Sequence, residues 1–596
     1  MPLPFSLPAS LSSLLSRPGR PRPAAALGSA ASAAPPPASP WRPSLSTHGL
    51  VVLAALYFTA TANLPFLARA LADRSAADPA AWGFGAALAL GVTALQVLLL
   101  GLLCTRWTAK PVLAVLLVVA AVASHYSAVY GTYLDPSMVR NLLRTHPAEA
   151  VELLSPALAL QVLLQAGLPL WLLWRLRLRP QPWPRALGRR AALLVGAVLV
   201  MLLAVLAVFQ PLSSLMRNQR ELRYLIAPVN VLWSAGAVLV RDTRTAARPR
   251  QPIGLDAQAG PSWATRKRPL LVVMVVGETA RAADWGLNPG STANTTPELA
   301  RWQGSGGLVN FPSVKTCGTD TETSLPCMFA PVGRRDYDEG RIRGQQSLLH
   351  VLARAGVAVH WRDNQSGCKG VCEGLSNETL AAANTPALCP EGRCLDEALL
   401  ADLPQRLQQA QGTQLLVLHM LGSHGPSYYR RYPPAFAANL PDCRHDELRR
   451  CSVEKVHNAY LNSLRYTDHV LAQALQMLKA QEDRVDTALV YVSDHGESLG
   501  EHGLFLHGMP YAIAPEGQTR VPMVAWASAG LAPAIGVQPA CLQGAWQAAA
   551  QAGGVAHDHL FHTLLGLLDV RTALHAPAWD LTQACRPAAG TAPATP

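Results

Sequence analysis

LLVVMVVGETAR, residues 270–281, runs seven apolar residues, four of them valine, into a glycine, an acid and a hydroxyl. An unbroken β-branched run, rather than one alternating with polar residues, suits a strand buried on both faces of a parallel sheet. Glu278 and Thr279 then fall on the loop at its carboxyl end, where open α/β folds keep their sites. TALVYVSDHGES, residues 487–498, repeats the pattern: an apolar strand to Val492 opens into Asp494, His495 and Glu497. KTCGTDTETSLPC, residues 315–327, sets several hydroxyls between Cys317 and Cys327.

Around these stretches the second half of the chain alternates apolar runs near 270–276, 357–361, 414–420 and 487–492 with helical patterns near 346–355, 396–410 and 454–480. That alternation predicts an α/β domain with a mainly parallel sheet covered on both faces. The first half differs. Apolar runs near 49–71, 81–104, 111–131, 156–176 and 191–210 are each long enough to cross a bilayer as a helix. Four domains follow: a disordered cytoplasmic tail over 1–48, five membrane spans over 49–210, a bridging helix and linker over 211–267, and a soluble domain over 268–596. The tail is rich in Pro, Ala, Ser and Arg and has too little apolar surface to offset chain entropy.

Composition agrees. Half of the 596 residues are hydrophobic and only 15% are charged, more apolar than a soluble protein carries. The net charge of +12 does not indicate nucleic acid, because the basic residues sit in short loops beside the apolar runs. Arg106 and Lys110 lie between the second and third spans, and Arg175, Arg177, Arg179, Arg185, Arg189 and Arg190 between the fourth and fifth. The positive-inside rule makes these loops cytoplasmic and sends everything after 210 outside. Ten of the eleven cysteines follow residue 316, as an oxidising compartment requires, and their irregular spacing argues for disulfides against a zinc ribbon.

Glu278, Asp494 and His495 offer two carboxylates and an imidazole at strand ends, a donor set for a divalent metal. The natural fourth donor is a nucleophilic hydroxyl, whose pKa the metal would lower. Thr319, Thr321, Thr323 and Ser324 all qualify, and physical reasoning alone does not choose among them. LHMLGSHGPSYY and GEHGLFLHGMPY present His424 and His507 between glycines, and WRDNQSGCKGVC offers Lys369 for a phosphate. In the polar loop between spans three and four, Asn141, Thr145 and Glu149 recur every fourth residue and would line one helical face.

VVGETAR, KTCGTDTETSLPCMF, WRDNQSGCKGVC, CPEGRCLDE, LHMLGSHGPSYYRRYPP, YVSDHGESLGEHGLFLHGMPYAIAP and QTRVPM occur in this order. Together they resemble the membrane-bound phosphoethanolamine transferases that modify lipid A, members of the alkaline phosphatase and sulfatase superfamily. The resemblance implies that Thr321 is the nucleophile and that Glu278, Thr321, Asp494 and His495 hold one tightly bound zinc. It implies substrate or second-zinc roles for Lys369, His424 and His507, and donor-headgroup roles for Asn141, Thr145 and Glu149. It also implies disulfides Cys317–Cys327, Cys368–Cys372, Cys389–Cys394 and Cys443–Cys451, to which we add Cys541–Cys585.

The expected protein is a monomer in the bacterial inner membrane with its catalytic domain in the periplasm. It would move phosphoethanolamine from phosphatidylethanolamine to a phosphate of lipid A in lipopolysaccharide, lowering outer-membrane negative charge and giving resistance to polymyxin. The alternatives are a core-sugar or periplasmic-glucan acceptor, or a sulfatase-like phosphodiesterase. One departure from the family stands out: acids, Asp320 and Glu322, flank Thr321. They would oppose an incoming phosphodiester unless they point away or pair with a cation such as Lys315 or Arg334.

Overall fold

The computed structural model describes residues 43–586, apart from 73, 146, 247–248, 306, 381–385 and 390–392. Residues 1–42, most of the expected tail, lie outside the described residues; at its end Ser44–Leu45 pairs with Arg177–Leu178 and a helix begins at Thr47, so those residues are not the disordered chain expected. Four helices are long and apolar enough to cross a membrane: Pro79–Leu103, Ala109–Val129, Pro156–Arg175 and Trp183–Ala207. A bent pair, Thr47–Ala60 and Leu64–Ala70, angled by 53°, passes the same test together and makes the count five if it is one span. Pro65 cannot donate at the second helix's start, and the buried Asn63 amide bonds the Phe58 and Ala227 carbonyls (2.9 and 2.8 Å), satisfying backbone groups at the bend. Within Pro156–Arg175, Pro169 displaces the carbonyl four residues earlier. The helix widens to a π turn over Leu163–Gly167, and the Gln165 carbonyl accepts instead from Tyr57 Oη at 3.0 Å.

The outer loop corrects one expectation. Pro147 disfavours helical backbone at the residue before it, so the loop forms two helices, α1 (Pro136–Arg144) and a second over Pro147–Glu152. Asn141 lies in α1, Thr145 is its extended C-cap, and Glu149 lies in the next helix, with its side chain outside what is described. The three therefore do not share one helical face. After the last span come the helices Phe209–Asn218 and α2 (Val229–Ala246). Part of the expected linker is tied to the soluble half, because Gln258–Ala259 pairs with Val570–Arg571.

The soluble half is built on a seven-stranded sheet of β1 (Leu270–Gly277), β2 (Leu308–Lys315), β3 (Ala358–Asp363), β4 (Ser376–Thr379), β5 (Thr413–His419), β6 (Asp486–Ser493) and β7 (Arg520–Ala527). Their spatial order is β2-β7-β6-β1-β5-β3-β4, and β7 alone runs antiparallel to its neighbours. β1 is central and wholly buried. Val272, Met274 and Val276 enter one apolar core, while Leu271, Val273 and Val275 enter the other, beneath the long helix α4 (Val453–Lys479). This two-sided burial explains the unbroken apolar run, each such side chain contributing roughly 1.5–3 kcal/mol. β2 and β7 each contain a proline, Pro312 and Pro522, at the irregularity in their pairing, where no ladder donor is needed.

All five expected disulfides are formed: Cys317–Cys327, Cys368–Cys372, Cys389–Cys394, Cys443–Cys451 and Cys541–Cys585. Cys104, buried as the C-cap of the Pro79–Leu103 helix, is the free cysteine among the described residues.

Candidate metal and nucleophile site

The parallel register sets the carboxyl ends of β1 and β6 side by side, Gly277 opposite Ser493, so Glu278 and Asp494 leave the sheet together. Thr279, at φ +54°, turns the chain sharply after Glu278, and its amide points at Asp494 Oδ1 (3.4 Å). Facing it, Gly422 has no room for a side chain: a Cβ there would lie 2.7 Å from the Glu278 carbonyl oxygen. The result is a buried cluster in which ligand atoms of Glu278, Asp494 and His495 all lie within 4.8 Å of one another.

The donor set fits a divalent cation. His495 Nδ1 donates to the Gly496 carbonyl at 2.9 Å, which fixes the tautomer and leaves Nε2 facing the carboxylates, 3.3 Å from Glu278 Oε1 and 3.4 Å from Asp494 Oδ2. Glu278 Oε1 and Asp494 Oδ2 are buried with no hydrogen-bond partner among the described residues. Burial pushes the Asp494 carboxyl up, and the Glu278 charge adds to it, to about 7. Burial opposes the charge on His495, but Asp494 and Glu278 outweigh it and raise the imidazole to about 10. Burial likewise works against the Glu278 carboxylate, and His495 overcomes it, so Glu278 stays below the usual carboxylate range. Two carboxylates thus share one imidazolium, and a dication bound between them would favour the charged form of both.

The four candidate hydroxyls part company. Thr321 Oγ1 lies 3.0 Å from Glu278 Oε2 and 3.3 Å from His495 Nε2. Thr319 donates to the Met509 carbonyl (2.6 Å), Thr323 bonds Ser137 (2.7 Å), and Ser324 accepts from the Gly318 amide (2.9 Å). Only Thr321 reaches the cluster, as the first residue of α3 (Thr321–Met328), whose amino-terminal dipole favours negative charge beside it.

His424 and His507 also come together: their ring centroids are 5.4 Å apart, and His507 lies 4.4 Å from the His495 ring. Burial holds His424 down to about 3, against the pull of Glu278, and its Nδ1 has no partner among the described residues. His507 Nδ1 lies 3.3 Å from the buried Glu497. The Lys369 ammonium donates to the Ser366 carbonyl (3.1 Å) and hydroxyl, and that hydroxyl bonds Gln365, whose amide reaches Glu278 Oε2 at 3.2 Å. Thr145 Oγ1 bonds the Asn141 carbonyl at 2.8 Å, and α1 meets α3 through Ser137.

The flanking acids are paired, but not with Lys315 or Arg334. Asp320 caps α3, accepting from the Thr323 amide (2.9 Å) and from the Ser137 hydroxyl (3.0 Å). Glu322, fully buried, pairs with Arg144 and with Arg343 (2.9 Å). Arg334 instead bonds the Cys317 carbonyl (3.3 Å) and covers Tyr511.

Sequence reasoning missed the pair beneath the site. His419 ends β5 and donates from Nδ1 to Asp363 Oδ2 at 2.8 Å, in register at the end of β3. Burial works against the Asp363 charge, but His419 and the Trp361, Gln365 and Gly367 donors hold the carboxyl down to about 2. Gln365 also reaches Glu278 Oε2 at 3.2 Å. The strand-end rule that found Asp494 would have found His419.

Two sequence families match the chain, one described as phosphoethanolamine transferase EptA/EptB over residues 92–243 and one described as sulfatase over 271–570. The Escherichia coli K12 phosphoethanolamine transferase EptA is 36% identical over 549 residues, covering 91% of this chain and 98% of that protein. This chain belongs to the EptA-type membrane phosphoethanolamine transferases. Within that family, the phosphatidylethanolamine transferase Mcr-1 from Escherichia coli is also 36% identical, over 89% of this chain and 96% of that one. The integral membrane EptA from Neisseria meningitidis matches in structure with a TM-score of 0.85 at 33% identity, covering 91% of this chain and all of that one. The chain is thus an EptA-type multi-pass membrane protein with a sulfatase-like α/β domain.

Proposed function

We propose that the protein transfers phosphoethanolamine from phosphatidylethanolamine to a phosphate of lipid A, by way of a covalent adduct on Thr321. The observation that carries this reading is the buried meeting of Thr321 Oγ1 with Glu278 and His495 at the head of α3. Full-length similarity to transferases named for phosphoethanolamine, and partial similarity to one from Salmonella typhimurium named for Kdo(2)-lipid A, supports the donor group and acceptor.

Glu278, Thr321, Asp494 and His495 would hold the metal, which we take to be one zinc from the mixed carboxylate and imidazole donors. When bound it supplies positive charge that makes the threonine oxygen nucleophilic at neutral pH. Glu278 Oε2 accepts the Thr321 proton. The Thr321 oxygen forms a bond to the donor phosphorus as the bond from phosphorus to the glycerol oxygen breaks, releasing diacylglycerol. A lipid A phosphate oxygen then attacks the same phosphorus as the bond from phosphorus to the threonine oxygen breaks, and the threonine takes its proton back from Glu278.

Burial keeps His424 neutral, so we assign the leaving alkoxide's proton to His507 and hydrogen bonding to the phosphoryl group to His424. The paired histidines are also where a second metal would bind. Basic loops between spans and five disulfides beyond them support an inner-membrane protein with its α/β domain in the periplasm. The domain boundaries near 48, 210 and 267 belong to the same reading. The added ammonium partly cancels lipid A's charge and weakens the binding of polymyxin.

The test is mass spectrometry of lipid A from cells with and without the protein. The expected result is a gain of one phosphoethanolamine unit on lipid A. A gain confined to the core oligosaccharide would overturn the acceptor.

A further inference from the structure

The outer loop of the membrane half, residues 136–152, is bonded to the catalytic half at both ends. At one end Ser137 of α1 donates to Asp320 and bonds Thr323 (3.0 and 2.7 Å), and Arg144 pairs with Glu322, the residue after the nucleophile. Arg144 also pairs with Asp242 of α2 (3.0 Å), and Arg140 of α1 pairs with Asp242 and Glu339. Arg343 (2.9 Å) pairs with the same Glu322 oxygen, Oε1, from the catalytic side, while Oε2 is buried with no hydrogen-bond partner among the described residues. At the other end, Glu152 is buried and pairs with Arg431 (2.6 Å) and Arg393 (2.8 Å). Arg431 in turn donates to the His424 carbonyl at 2.7 Å.

Both acids are buried and bridge segments far apart in sequence. Glu322 and Arg144 are separated by 178 residues, Glu152 and Arg431 by 279. A buried acid with cations from two segments loses much when one partner is removed, which makes such pairs better at fixing relative position than at adding stability. A misplacement of about 1 Å at a reacting group costs on the order of 100-fold in rate. We propose that Glu322 and Glu152 are positioning residues that clamp residues 136–152 onto the nucleophile's helix at one end and onto the His424 loop at the other. The inference rests on the transfer reaction proposed above. It explains an acid beside a site that must receive an anion: the Glu322 charge is paired with Arg144 and Arg343.

The test uses the full chain in phosphatidylethanolamine vesicles. Glu322→Gln, Glu152→Gln and the half-exposed Arg144→Gln are measured for headgroup release and for bound metal. We expect rates to fall about ten-fold or more with metal content unchanged, and Glu322→Gln with Arg144→Gln to be no slower than the slower single variant. Ser137→Cys with Thr323→Cys, joined as a disulfide where the two hydroxyls now meet, restores the Glu322→Gln rate to within about three-fold of the bridged parent. Unchanged single-variant rates, strictly additive losses, or a formed bridge that restores nothing would overturn the proposal. The rate at which that bridge forms needs no substrate. Slower bridging in Glu322→Gln than with Glu322 intact supports the clamp even if headgroup release is never seen, whereas equal bridging rejects it whatever the enzyme's activity.

Discussion

Replacing Asp363 by Asn isolates the buried pair beneath the site without touching a proposed metal ligand. Asp363 is 1% exposed and accepts four hydrogen bonds, from His419 Nδ1 and Trp361 Nε1 at 2.8 Å and from the Gln365 and Gly367 amides at 2.9 and 3.0 Å. Its carboxyl is held at about 2 against an ordinary value of 3.8. Such a depression contributes about 2 kcal/mol to folding, at roughly 1.4 kcal/mol per tenfold change in the acid constant. The folded value lies below the unfolded one, so this stability is fully present above about pH 4 and is lost as pH falls through 2. Each oxygen accepts two of the four bonds, so an Asn side chain also turns its NH2 group toward two donors, raising the expected loss at neutral pH to about 2–4 kcal/mol. Thermal unfolding of the full chain at pH 7 should show a melting point several degrees lower in the variant, with the gap narrowing as the pH is lowered through 4 towards 2. Equal melting points at pH 7, or a gap that widens on acidification, would refute the charged pair.

The ligand set makes a second prediction: Glu278→Ala, Asp494→Ala or His495→Ala abolishes transfer and weakens metal binding by several kcal/mol, read as bound zinc after dialysis. Full activity with intact metal removes that residue from the site. Topology makes a third: a reporter active only outside the inner membrane works when fused after Arg250 and fails near Arg185, and the reverse pattern overturns the five-span orientation.

The sheet was legible where strands are buried on both faces, because β1, β5 and β6 then read as unbroken apolar runs. β2 and β7 escaped because each is interrupted by a proline, which demotes a run unless the irregular pairing that tolerates it is known. Four spans read cleanly. The bent pair over 47–70 read as one run because hydropathy carries no signal of the bend that Asn63 supports. The polar stripe through Asn141, Thr145 and Glu149 failed locally, because Pro147 breaks the helix that periodicity assumed. Glu278, Asp494 and His495 were legible as polar residues just past strand ends. The choice among four neighbouring hydroxyls was not, since it depends on which one the turn into α3 directs at Glu278. The partners of Asp320 and Glu322 lay furthest from reach: Ser137 and Arg144 come from the membrane half, beyond any local pattern.

Thr321 as the carrier of the transferred group is tested most directly by incubating the purified full chain with phosphatidylethanolamine and no acceptor, then mapping its peptides by mass. The expected result is one added phosphoethanolamine on the peptide containing Thr321, absent in a normally folded Thr321→Ala protein that also fails to transfer. An adduct on Thr319 or Thr323, or transfer that survives Thr321→Ala, would contradict the assignment.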